Sequence, residues 1–191
     1  VLQSQQKHDA EDDRKHTDDA MYDLASRRFV QIGSPQLRRV KHNENANVAI
    51  GLDDHPYRRA DSWLGEDFAD VYAVSLATGE HRLIARRAMG AELSPDGRYA
   101  LAWDEKSAHW VAVRTADGKH VTLASNASVK FSLEDDDHPE PPQPYGAGGW
   151  IAGDRGVLLY DRYDVWLANP DTGSALDLTH GAGRRAHTVY S

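Results

Sequence analysis

The chain has no cysteine, so it can form neither a disulfide framework nor a thiolate metal site or nucleophile. That absence leaves the redox compartment open. Basic residues are also short. Acidic side chains outnumber Lys plus Arg by 30 to 22, for a formal net charge of −8. Binding along a phosphate backbone needs a basic face, and Arg27-Arg28, Arg38-Arg39-Val40-Lys41 and Arg184-Arg185 are too short and dispersed to make one. Nucleic acid is therefore not an expected partner. No apolar run approaches the roughly 20 residues that span a bilayer. There is neither a leader nor an initiator methionine, and both Val1 and Val189-Tyr190-Ser191 read as parts of strands. The expectation is a fragment, whose missing targeting signals say little about its parent.

The usual catalytic signatures are missing as well. No G-x-S-x-G elbow, H-E-x-x-H helix, Walker loop or Rossmann fingerprint occurs. Ser94 (in Ser94-Pro95-Asp96-Gly97) and Ser174 (after Gly173) read as turn residues. Gly146-Ala147-Gly148-Gly149 leads into a strand, so it lacks the helix N-terminus that binds phosphate. Two groups could ligate a metal: His8 and His16 with their neighbouring carboxylates, and Glu134-Asp135-Asp136-Asp137-His138. Consecutive carboxylates do not converge easily on one ion, so both read as solvated loops. No catalytic, cofactor-binding or metal residue, and no cofactor, is expected.

What the chain does have is a hairpin written four times: an aromatic-bearing strand, a tight polar turn, and a second short apolar strand. The copies are Asp19–Ile32, Asp70–Ile84, His109–Leu123 and Asp164–Leu178. Tyr22, Tyr72, Trp110 and Trp166 hold matching places about 40–55 residues apart. A repeat of that length built from strands reads as propeller blades, and the recurring aromatics read as packing between blades. Further strands are expected at Val48–Leu52, Ala91–Leu93, Tyr99–Trp103, Trp150-Ile151 and Val157–Tyr160, with Pro and Gly supplying the turns. The long excursions Lys7–Asp19 and Asp53–Phe68 stand apart; Tyr57, Trp63 and Phe68 should hold part of the second one down. Ser132–Gly149 is a proline-rich linker.

The expected fold class is therefore all-β: a partial β-propeller of about three to four four-stranded antiparallel blades. Its divisions are 1–36 (outer part of one blade), 37–86 (blade), 87–125 (blade), 126–185 (linker plus blade) and 186–191 (start of the next blade). A closed propeller has about 4–8 blades, so an open arc is expected to self-associate through its blade edges.

Three stretches carry a family resemblance. They are Asp137-His138-Pro139, Pro144-Tyr145-Gly146 with Gly148-Gly149-Trp150, and Leu158-Leu159-Tyr160-Asp161-Arg162-Tyr163-Asp164-Val165-Trp166. Together they resemble the propeller of bacterial prolyl oligopeptidase-family serine peptidases, the dipeptidyl-peptidase-IV-like group. Asp177-Leu178-Thr179-His180-Gly181-Ala182-Gly183-Arg184 is similar to the end of that family's stretch, with Asp177 in place of Asn, and Gly148-Gly149 stands where Ala-Gly is common. Leu2–Gln6 and Arg28–Ile32 also resemble an earlier blade. The resemblance implies a periplasmic or secreted parent with an α/β-hydrolase domain holding a Ser–Asp–His triad. That domain would be the partner, peptides the parent's substrates, and substrate gating the propeller's task. No position matches the glutamate pair that some members use for a substrate's N-terminus. The alternatives are a stand-alone propeller that binds a peptide or protein through Asp53–Phe68 and Lys7–Asp19, and a calcium-stabilised module.

Overall fold

The structure is a computed structural model and describes residues 17–58, 68–135 and 142–190. Thirteen strands follow one another among them. The first hairpin is β1 (Ala20–Asp23) and β2 (Arg28–Gln31). Seven strands come next: β3 (Arg39–Lys41), β4 (Val48–Asp53), β5 (Phe68–Ser75), β6 (His81–Leu93), β7 (Tyr99–Asp104), β8 (His109–Arg114) and β9 (His120–Thr122). The last sheet is β10 (Ala147–Trp150), β11 (Val157–Tyr160), β12 (Val165–Ala168) and β13 (Ala175–Asp177), followed by a five-residue helix, α1 (Ala182–Ala186). Every pairing is antiparallel and joins neighbours in sequence. This is an all-β, open arc of propeller blades.

The turns explain why the hairpins repeat. Ser75, Arg114 and Asn169 each donate their N–H to a carbonyl five residues on, at 2.8–2.9 Å. Each also accepts from the N–H of a glycine four residues on, at 2.7–2.8 Å. Those glycines, Gly79, Gly118 and Gly173, have φ of 74°, 76° and 77°, a conformation that costs other residues about 1–2 kcal/mol. In the first hairpin Arg27 takes the corresponding place at φ 54°, and Asp23 Oδ1 braces that turn by accepting from Ala25 N at 2.8 Å.

Alternation along the strands builds three cores in series. Side chains two apart share a face. Ala49 of β4 and Val74 of β5 pack back against Val30 and Ile32. Their neighbours Ile50, Leu52, Val71 and Ala73 pack forward against Ala100, Ala102, Val111 and Val113. The other faces of β7 and β8 (Tyr99, Leu101, Trp103, Trp110) then meet Val157, Leu159 and Ala168. Strands this apolar on both faces belong between two sheets. Of the repeated aromatics, Trp110 lies inside the last core, with Trp166 packed against it. Tyr72 packs on the first core, whereas Tyr22 is 54% exposed.

Strand β6 serves two blades. Its first half pairs with β5 and its second with β7, and Met89 stands opposite both Phe68 and Trp103. A bulge turns the strand midway. Arg86 and Arg87 face the single residue Asp70, whose carboxylate accepts from Arg87 N at 3.0 Å and from Arg86 Nη1 at 3.1 Å. At the chain's far end no strand forms at Val189 or Tyr190. Residues 182–186 coil into α1, and Tyr190 N donates to Tyr163 O at 3.2 Å.

The opposite ends of the sheets are fastened by side chains that cross from blade to blade. Asp154, with no solvent exposure, accepts from Ser94 Oγ at 2.6 Å and from the backbone N–H groups of Asp96 and Arg98 at 3.1 Å. Tyr99 OH donates to Asp171 at 2.6 Å, and Asn43 Nδ2 donates to the carbonyls of Leu93 and Ser94 at 3.0 Å.

Candidate functional site

Strand register places Asp53, Asp70, Asp104, His109, Tyr160 and Val165 at one end of the sheets. The longer excursions depart from this rim, and its charged residues are the best candidates for contact with another molecule. The excursion after β4 is held down where it begins. Tyr57 OH donates to buried Asp70, and the Tyr57 ring meets Phe68 edge-on at 6.4 Å. Arg87 lies over the Phe68 ring, 4.0 Å from its centroid, and pairs with Glu105 at 2.7 Å. Thus one rim cluster joins β5, β6 and the turn after β7. Burial, followed by the bond to Asp70, pushes the Tyr57 phenol up to about 12. A phenol held there exchanges no proton near neutrality, so the cluster is suited to anchoring rather than to acid–base work.

The same rim continues at the third blade. Asp161 accepts from Tyr163 N at 2.7 Å, Asp164 N at 2.8 Å, Trp166 Nε1 at 3.0 Å and Arg184 Nη2 at 3.1 Å. Asp164 accepts from Thr179 Oγ1 and Gly183 N, both at 2.8 Å. Both carboxylates are 1% exposed, so these bonds offset most of the cost of burying charge. Asp70 and Asp164 therefore play one part. Each opens its hairpin copy and captures a backbone N–H from the segment leaving the blade, with an arginine of that segment 3.1 Å away at Asp70 and 4.0 Å away at Asp164.

Asp53, Asp54 and His55 bring one ligand atom each within 4.8 Å of one another. His55 already bonds Asp53 through its N–H at 3.0 Å and its Nδ1 at 2.8 Å, while Arg58 at 3.0 Å and Arg39 at 3.6 Å neutralise Asp54. That is far short of the six to eight oxygens a calcium ion takes; the group reads as a braced turn.

The other residues singled out from sequence are placed as follows. Ser94 is fully buried, donating to Asp154 and accepting from Tyr99 N at 3.0 Å. Ser174 Oγ meets Thr172 Oγ1 at 2.8 Å in its turn. Among the described residues no hydrogen bond joins a serine hydroxyl to a histidine ring; His109 and His120 bond the carbonyls of Ser107 and Ile84. Gly146, with φ of 128°, leads into β10, Gly149, with φ of 109°, lies within it, and a Cβ at Gly148 would run into the Tyr160 hydroxyl. Glu134 N donates to Tyr145 OH at 3.1 Å, and Asp135 pairs with Arg162 at 2.7 Å. His8, His16, Trp63, Asp136, Asp137, His138, Pro139 and Leu2–Gln6 lie outside the described residues. Sequence reading missed the Tyr57–Asp70–Arg87–Glu105 cluster and Asp154. The recurrence of Asp-Val-Tyr at 70–72 and Asp-Val-Trp at 164–166 was the available signal for the carboxylates, and nothing in the sequence pointed to Asp154.

No family model matches the chain, and no curated protein matches it. Among solved structures it is similar to TolB from Acinetobacter baumannii, at 14% identity and a TM-score of 0.46 over 86% of this chain and 38% of that one. It is also similar to the hydrazine synthase of Kuenenia stuttgartiensis, at 16% identity and a TM-score of 0.40, with 86% and 48% covered. The oligogalacturonate lyase of Vibrio parahaemolyticus gives 10% identity and a TM-score of 0.41, again with 86% and 48% covered. The chain spans less than half the length of each of these proteins, and at such scores the likeness carries nothing about activity.

Proposed function

We propose that the chain is a non-catalytic part of the propeller of a periplasmic or secreted serine peptidase, of the prolyl oligopeptidase family's dipeptidyl-peptidase-IV-like group. It would limit access to an active site and dock the parent's α/β-hydrolase domain. What supports this reading is the long resemblance running from Asp137 to Arg184, together with how its described parts fit. Asp161 and Asp164 from one stretch accept from Thr179, Gly183 and Arg184 of the other. The two stretches therefore form one folded unit, and their polar groups are engaged in holding a blade rather than awaiting a substrate. The reading predicts that the natural reading frame continues into an α/β segment with a G-x-S-x-G elbow, and that this chain alone does not cleave X-Pro chromogenic peptides. A frame ending in unrelated sequence, or cleavage by the purified chain, would overturn it.

A second reading, a stand-alone module that binds a peptide or protein, draws on the rim. Tyr57 anchors the excursion that begins at Asp53, and Arg86 beside it is largely exposed. Specific capture of one partner by the chain, lost in Tyr57→Ala with the fold intact, would favour this reading over gating.

A further inference from the structure

The two ends of the arc present apolar sheet faces. On the leading hairpin Tyr22 stands opposite Phe29 across the strands. These are 54% and 68% exposed, while Met21 and Val30 point the other way, toward the next sheet. On the trailing sheet Leu158, Leu167 and Leu176 form a cross-strand row, with Tyr160 opposite Val165 on the same face. Val157, Leu159 and Ala168, on the face that is covered, have no exposure at all. A sheet face left to water carries polar side chains; both of these carry the residues of an inter-blade core.

Charge adds direction. Asp18 and Asp19 precede β1, and Arg184 and Arg185 lie in α1. Asp19 opens its hairpin as Asp164 opens the fourth, and Gly183 of α1 bonds Asp164, so both groups lie at the same end of their sheets. The seam inside the chain supplies the pattern. There Arg86 pairs with Asp70 in its own blade, and Arg87 reaches Glu105 in the next blade at 2.7 Å. At the trailing end Arg184 pairs with Asp161 in its own blade at 3.1 Å. Arg185, whose Nη1 bonds only a neighbouring carbonyl among the described residues, matches Arg87.

We infer that a second copy of this chain docks here, its leading hairpin stacked on the first copy's trailing sheet, with Arg185 facing Asp19. The contact is head to tail, and a reciprocal pair of such contacts makes a dimer of this chain. The inference concerns the chain by itself and does not rest on the peptidase reading: a failed cleavage test leaves it standing.

Sedimentation of the purified chain should show a concentration-dependent dimer. Phe29→Glu and Leu176→Glu, both at exposed positions, should each raise its dissociation constant at least about tenfold (~1.4 kcal/mol) with unchanged circular dichroism. Arg185→Asp should weaken the dimer, and adding Asp19→Arg should restore it. Because the chain has no cysteine, engineered thiols report geometry cleanly. With a short bis-maleimide, the double variant Phe29→Cys with Leu176→Cys should give covalent dimer, and each single variant should stay monomeric. A monomer at every concentration, a dimer indifferent to both glutamates, or equal cross-linking by a single variant would overturn the inference.

Discussion

Asp154 is the most exacting test of how adjacent blades are joined. Its carboxylate has no solvent exposure and receives three hydrogen bonds from the Ser94–Arg98 turn of the preceding blade. In Asp154→Ala three donors, one buried and two part-buried, lose their acceptor. At the low end of about 1–3 kcal/mol each, the loss is about 3 kcal/mol. Asp154 also sits at φ 51°, where alanine costs about 1 kcal/mol more. The sum is about 4 kcal/mol. Asp154→Asn separates these contributions. Asparagine tolerates the left-handed conformation and keeps one acceptor, so it should cost only about 1–2 kcal/mol. Urea unfolding followed by tryptophan fluorescence suits the measurement, since Trp150 stacks on Tyr99 at 5.7 Å beside this joint. For a chain of this size, the alanine variant should melt roughly 8–16 °C lower. A loss below about 1 kcal/mol in Asp154→Ala, or equal losses in the two variants, would refute the reasoning.

Other outcomes follow from the turns and the tyrosines. Arg27→Gly should stabilise the chain by about 0.5–1 kcal/mol, because Arg27 holds at φ 54° the place that Gly79, Gly118 and Gly173 fill; the reciprocal Gly118→Ala should cost about 1–2 kcal/mol. Equal urea midpoints for Arg27→Gly and wild type would contradict the turn equivalence. Alkaline stability should fall between pH 10 and 12. Tyr57 and Tyr99 are pushed up to about 12 by burial and by their bonds to Asp70 and Asp171. An unfolded phenol titrates near 10, so each contribution is complete below about pH 10 and is lost as pH rises through about 12. Burial raises the Tyr145 phenol as well, so absorbance titration should show one fewer late-ionising phenol in Tyr57→Phe than in wild type; an equal number in the two would contradict the assignment.

Strand positions were legible where turn chemistry marks them. Ser94-Pro95-Asp96-Gly97 and the glycines at 79, 118 and 173 fix where hairpins reverse, and the expected strand at Val157–Tyr160 coincides with β11. Long-range side-chain capture was not legible. Reading blade by blade divides the chain near residue 86, whereas β6 runs unbroken from His81 to Leu93 because Asp70 takes up the bulge at Arg86-Arg87. At the far end Val189-Tyr190 has the composition of a strand, but the segment is drawn back to Tyr163. Asp154 reads as an ordinary turn aspartate. Its burial depends on a turn some 60 residues earlier, and no local pattern records that partner. The rim cluster was half visible, since the recurring Asp-Val-aromatic triplets mark Asp70 and Asp164 without naming the arginines they hold.

The central claim is that one strand is shared by two blades of an open propeller arc, and Met89 reports on it directly. The chain has only two methionines, so labelled methionine methyls give two separable signals. Met89 stands opposite Phe68 on one side and Trp103 on the other, all three in one core. The account predicts nuclear Overhauser contacts from the Met89 methyl to the aromatic protons of both Phe68 and Trp103 in the same spectrum. Contacts to one ring and not the other would mean that β6 does not bridge the two blades, and would contradict it.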